Sequence, residues 1–200
     1  SEPLKNSQIT TTEVLAYRMV LLTLFAQKNY AECHRFIMAI LNRYPNIFYV
    51  RYSVFSPFLL LQLGQTYLKL NYYKKAKRIV EFVEKIIECD YTYYTNFIIV
   101  SFSVFKANFY NCTHNYEQAV AETETGLKMA SQDDFKIYEI ALQLLKIDSL
   151  KHCDRPEEVS NAIKELFNFL SLHKISLPEY TNLNNFEFDQ TFKVLKSYKK

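Results

Sequence analysis

One small residue recurs at a fixed period. Cys33, Ala76, Ala119 and Ala162 lie 43 residues apart, and each stands three residues after Tyr30, Tyr73, Tyr116 or Val159. Two helices cross closely only where a side chain is short, so a small residue locked to a period predicts stacked helical hairpins. The expected fold class is all-α: an α-solenoid of about four hairpins with a 43-residue period, plus a C-terminal capping helix. With 2 Gly and 5 Pro in 200 residues, the chain has few turn formers, which argues against both turn-rich β architectures and disorder.

The pattern along the chain divides it in three. Residues 1–12 read as a linker or frayed lead-in, residues 13–176 as the helical repeat, and residues 177–200 as a loop with a capping helix. Thr10, Thr11 or Thr12 is expected to cap the first helix, with Glu13 in its first turn. Pro45 ends the second helix, and Ser56-Pro57 starts or kinks the third. Ser131-Gln132-Asp133-Asp134 is an acidic turn suited to cap the seventh helix. Asp154-Arg155-Pro156-Glu157-Glu158 reads as cap, Pro and acids at the start of the eighth. The turns in between fall at Lys28-Asn29, at Asn71 and at Cys112–Asn115.

The best repeat runs Leu63-Gly64-Gln65-Thr66-Tyr67, then Tyr73, Ala76, Val80 and Val83. It is similar to the tetratricopeptide pattern of L-G-x-x-Y followed by Y-x-x-A. Leu24, Tyr30, Cys33, Ile37 and Pro45 match it in the first repeat. Ala107, Tyr110, Tyr116, Ala119 and Gly126 match it in the third, and the fourth is degenerate. The likeness spans about residues 14–174 and implies a right-handed stack. Gly64 and Gly126 read as packing devices where helices approach closely. The period is nine residues longer than the ordinary 34. Longer, aromatic-rich repeats of this style resemble the regulatory domains of bacterial peptide-pheromone receptors of the Rgg, PlcR and NprR type. That resemblance implies a cytoplasmic, homodimeric peptide sensor of a transcription regulator. Its DNA contacts would run only through a separate N-terminal domain. The chain opens at Ser1 without a Met and reads as an excised fragment.

Chemistry is thinly written. No phosphate-binding Gly-rich loop, HExxH or GxSxG occurs, so neither catalytic residues nor a cofactor are expected. Cys33, Cys89, Cys112 and Cys153 are far apart and His34, His114, His152 and His173 are scattered, which fits no metal site. The thiols read as reduced. No apolar run reaches the ~20 residues of a membrane span. A net charge of +3 is diffuse. The run Lys74, Lys75, Lys77 and Arg78 reads as a solvated outer face, with DNA contact as the lesser alternative.

Projecting the tetratricopeptide inward positions onto the first helix of each hairpin yields a candidate peptide groove. It contains Arg18, Phe58, Leu61, Gln62, Gln65, Lys69, Ser101, Val104, Asn108, Asn111 and Lys151, with Arg51 and Phe97 as extensions. Leu15, Leu22, Leu144 and Ile147 fall in the same register. Gln and Asn amides both donate and accept, so a row of them grips a peptide backbone whatever its sequence. The competing reading is that these amides are solvated or satisfy one another. Either a short peptide or a segment of a partner protein would fit the groove. The alternative function is therefore a tetratricopeptide-type adaptor with no small ligand.

Overall fold

The computed structural model describes residues 9–45, 55–89 and 96–175. Eight helices occur among them and no strand: α1 (Thr11–Ala26), α2 (Tyr30–Arg43), α3 (Phe55–Lys69), α4 (Tyr73–Cys89), α5 (Asn96–Cys112), α6 (Tyr116–Gln132), α7 (Lys136–His152) and α8 (Pro156–Leu172). The expected capping helix and Arg51 lie outside the described residues. The chain divides into two units, Ser1–Ile79 and Val80–Lys200, with the boundary inside α4.

The periodic small residues are all interior. Cys33, Ala76 and Ala119 are 0% exposed and Ala162 is 5% exposed. In the second unit the two helices of a hairpin divide the work. The helices α5 and α7 each bury nine of seventeen residues, whereas α6 and α8 each bury five. A helix apolar on most sides belongs inside, and one with a single apolar stripe covers it. Val104, Leu144, Ile147, Leu150 and Leu166 accordingly share one core cluster, all at 0% exposure. The first unit has its own core of Leu21, Phe25, Cys33, Ile37, Leu59 and Leu63.

Gly126 of α6 marks a close approach of three helices in the second unit. A methyl group there would lie 2.9 Å from both Leu142 Cδ1 on α7 and Ser103 Cβ on α5. Only hydrogen fits that space, as expected for a packing glycine. Close by in sequence, Lys106 of α5 bridges Glu84 of α4 at 2.8 Å and Glu122 of α6 at 3.0 Å. Burial pulls its ammonium down, but the hydrogen bonds and charges of the two glutamates outweigh it, so the lysine is held above its ordinary value.

Helix ends are built without glycine. Lys28, Asn71, His114, Asp134, Asp154 and Lys174 take left-handed φ values of 53–61°, and neither glycine does. The next residue then donates back into the finished helix: Asn29 to Leu24 O at 2.9 Å, Tyr72 to Tyr67 O at 2.8 Å, Asn115 to Tyr110 O at 2.9 Å. Phe135, Arg155 and Ile175 bond to Ala130, Leu150 and Leu170 in the same way. This is the Schellman closure, which satisfies carbonyls a helix end leaves open.

Two expectations fail here. Asp134 does not cap α7 and Asp154 does not cap α8; each closes the preceding helix in the left-handed conformation. The N-cap positions fall to Phe135 and Arg155, neither with a side-chain cap bond. A three-residue turn has no room for a carbonyl closure and a side-chain cap on separate residues, and the closure prevails. At the chain's first helix the expectation holds. Thr10 caps α1 and forms a capping box with Glu13. The same Glu13 carboxylate accepts from Tyr44 Oη at 2.7 Å and from Arg43 Nη2 at 3.0 Å, tying the start of α1 to the end of α2. The Thr10 backbone bond leads these contacts in holding Glu13 down at about 2. Accepting the Tyr44 proton in a hydrogen bond also keeps that phenol up at about 12.

Candidate functional site

In the first unit, Arg18 is exposed on α1 and its Cζ lies 5.0 Å over the Phe58 ring of α3. No ion pair engages Arg18 among the described residues. Phe58, Leu61, Gln65 and Lys69 are all half-buried. They follow one another by three or four residues, so they share one face of α3. The result is a strip with an aromatic ring, an aliphatic side chain, an amide and two cations.

Gln62 does not belong to that strip. It is only 7% exposed and lies one turn from Thr66. The Thr66 hydroxyl donates to Gln62 O at 2.8 Å and lies 3.4 Å from Cys33 Sγ on α2. Burial pushes the Cys33 thiol up, against the opposing pull of Thr66 and Gln62. The Gln62 Nε2 is buried with no hydrogen-bond partner among the described residues. A position shift of one residue on a helix moves a side chain by about 100°, which is enough to carry Gln62 from the outer strip to the α2–α3 interior.

The second unit treats the same register differently. Val104, Leu144 and Ile147 are 0% exposed, so none of them lines an open surface. The α5 and α7 helices pack directly on each other. Asn111 is consumed by that packing: Ser149 Oγ donates to its Oδ1 at 2.7 Å and its Nδ2 donates to Leu145 O at 3.4 Å. Its amide therefore joins two helices rather than waiting for a ligand. Ser101 and Asn108 are half-buried, and the Ser101 hydroxyl donates to Phe97 O at 2.7 Å. Phe97 is 40% exposed and meets Phe135 and Tyr138 edge to face, with centroids at 5.8 and 5.3 Å. Lys151 is half-buried; burial pulls its ammonium down, and Asp148 pulls the other way.

Several polar groups escaped the sequence reading. Glu139 is 7% exposed in the first turn of α7; burial, with the Asp134 charge, pushes its carboxyl up. Gln143, one turn on, has a buried Oε1 without a hydrogen-bond partner among the described residues. Neither stands out in a list of ordinary helix residues. The histidines are not simple surface groups either. His152 stacks on Tyr116 at 4.4 Å, His114 Nδ1 lies 2.7 Å from the Tyr116 hydroxyl, His173 rests on Phe169 and His34 on Tyr67. A neighbouring aromatic was the available signal for His173 and His114, whereas the partners of His34 and His152 stand on other helices.

Among the described residues no group of three or more His, Cys, Asp or Glu side chains is placed to hold a metal ion. Cys33, Cys112 and Cys153 are free thiols. No helix there is long and apolar enough to cross a membrane. Compared with family models, curated proteins and solved structures, the chain has no match in any of the three.

Proposed function

We propose that the chain is a peptide-recognition domain, with the α1–α3 strip of the first unit as its receiving surface. The observation that carries this reading is Arg18 lying over Phe58 without an ion pair, beside half-buried Leu61 and Gln65. A guanidinium supported by a ring is oriented in advance for a carboxylate. Gln65 supplies donor and acceptor to a peptide backbone, and Phe58 and Leu61 take an apolar side chain. Lys69 adds a second cation. In this reading the domain is the sensing and dimerising half of a cytoplasmic bacterial transcription regulator, and the peptide biases the stack between two packings.

The second reading is an adaptor for a partner protein. Its support is the apolar outer side of α1, where Leu15, Met19 and Val20 are 58%, 64% and 40% exposed. Calorimetric titration with a panel of short hydrophobic peptides separates the two. Saturable heat that disappears in Arg18→Ala and Gln65→Ala supports the peptide sensor. Silence across the panel, with the fold intact, overturns it. Sedimentation at micromolar concentration is expected to show a dimer.

A further inference from the structure

The start of α7 holds two acceptors and no donor for either. Glu139 stands in its first turn and is only 7% exposed. Its carboxyl has no hydrogen bond and no ion pair among the described residues. Gln143 stands one turn later, with its Oε1 buried and without a partner among the described residues. Residues four apart on a helix are neighbours on one face, and long side chains lean toward the helix N-terminus. The Gln143 amide thus leans toward the turn that carries Glu139. A buried acceptor left open costs free energy and calls for an explanation. A carboxylate cannot complete this pair, since it only accepts. A carboxylic acid can, because it donates one O–H.

Nearby charge does not meet the need. The helices α5, α6 and α8 all pack on α7. Lys106 of α5 is held by Glu84 and Glu122, and Glu124 of α6 by Lys146. Arg155 gathers Glu117 of α6 and Glu158 of α8. Lys128 of α6 and Lys164 and Glu165 of α8 are exposed. The charges that act on Glu139 are Asp134 of the α6–α7 turn and Lys136 of α7, and Lys136 lies 3.4 Å from Asp134. Burial first, and then Asp134, push the carboxyl up, and Lys136 opposes them.

We propose that Glu139 and Gln143 form a proton-operated latch: the protonated carboxyl donates to Gln143 Oε1, and loss of that proton to solvent loosens the α6–α7 turn. Ionisation sets a carboxylate against the bare Gln143 carbonyl and against the Asp134 charge. Asp134 is also the left-handed residue that closes α6, so the repulsion falls on a turn whose backbone is already strained. A carboxyl raised on folding contributes fully below its ordinary 4.5 and loses that contribution as pH rises through the raised value. The latch is therefore closed in acid and open in base. It does not rest on the peptide reading.

Titration of the glutamate carboxyl signals by NMR tests it on the full 200-residue chain. The Glu139 carboxyl is expected to titrate above 4.5, its ordinary value, and the backbone amides of residues 134–139 to follow with the same midpoint. Glu139→Gln carries an N–H donor at every pH, so those amides should stop responding. Gln143→Met keeps the length and removes the acceptor, and the Glu139 midpoint should fall. Drying by the thioether acts the other way, so a fall reports the lost bond. Lys164→Gln on the exposed face of α8 should change neither. Circular dichroism checks that each variant is folded; if Gln143→Met is not, Gln143→Leu is read in its place. A parent midpoint at or below 4.5 overturns the proposal and means that the positive end of α7 governs the acid. A midpoint unchanged or raised in the Gln143 variant overturns it too, the raised case meaning that Nε2 meets an ionised carboxylate. So do turn amides that ignore the carboxyl.

Discussion

The two units carry the same 43-residue register and expose it differently. Arg18 and Leu61 of the first unit correspond to Val104 and Ile147 of the second. Arg18 is exposed and Leu61 half-buried, whereas Val104 and Ile147 are at 0%. Leu15 at 58% and half-buried Phe58 correspond to half-buried Ser101 and fully buried Leu144. A repeat position therefore does not carry a fixed role. Where the first helices of two hairpins close on each other, as α5 and α7 do, the inward positions become core. In the first unit the same positions stay half-buried or exposed.

Truncation breaks or sharpens this comparison most strongly. Ile147→Ala removes a fully buried side chain and should cost about 2–5 kcal/mol in chemical denaturation. Leu61→Ala, half-buried in the same register, should cost less than half as much and appear mainly in peptide affinity. Equal costs would remove the distinction between the units. Gly126→Ala drives a methyl group to 2.9 Å from Leu142 and Ser103; overpacking of this kind costs about 1–3 kcal/mol. The loss should be confined to the second unit, read as faster amide exchange in α5–α7.

Asn111 and Gln65 test the two roles of an amide. Asn111→Leu removes the two bonds that join α5 to α7, while the Ser149 hydroxyl keeps Leu145 O at 2.7 Å, and should cost about 0.5–1.5 kcal/mol. Gln65→Ala, at a half-buried position, should weaken peptide binding severalfold; unchanged peptide affinity would remove Gln65 from the receiving surface.

Acid should move the units in opposite directions. Glu13 sits at about 2, below its ordinary 4.5, chiefly through the Thr10 backbone bond. A carboxyl lowered on folding stabilises above its unfolded value and loses that contribution as pH falls through its folded one. The α1–α2 junction should therefore loosen between about pH 4.5 and 2. Glu139 is raised, first by burial, so its ionisation opposes folding, and acid relieves that penalty once it falls through the raised value. Amide exchange across this range should show α1 losing protection before the start of α7; a Glu13→Gln variant should flatten the first response and Glu139→Gln the second.

The smallest effect concerns the helix ends. A non-glycine residue in the left-handed region is strained by roughly 1 kcal/mol, part of which glycine returns as unfolded-state entropy. Lys28→Gly in the first unit should thus raise stability by up to about 1 kcal/mol. His114→Gly in the second should gain less, because it also discards the 2.7 Å contact with Tyr116. A larger gain at His114 would mean that this contact contributes nothing.

Much of the fold was legible before any coordinates. The 43-residue spacing marks four interior small residues, and the helices begin and end close to where Tyr30, Tyr73, Tyr116, Asn71 and Pro45 place them. These are local signals: periodicity, capping by Thr10 with Glu13, and breaks between apolar stripes. The helix ends were harder to read, because a closure built on Asp134 or Asp154 looks in sequence like a cap on the next helix. The candidate groove was legible only in part. Phe58, Leu61, Gln65 and Lys69 share a face of α3, and Arg18 of α1 lies over Phe58, but Gln62 is buried and Asn111 bonds across to α7.

The sequence by itself determined an all-helical chain, the period of its small residues and the places where its helices can cross. Only the tertiary structure decided which inward positions are surface and which are core. Periodicity fixes the direction of a side chain from its own helix axis; exposure depends on what the neighbouring helix brings to the same place. A leucine or an amide carries no mark of that neighbour, so Val104 and Leu61 look alike in one dimension and differ in three.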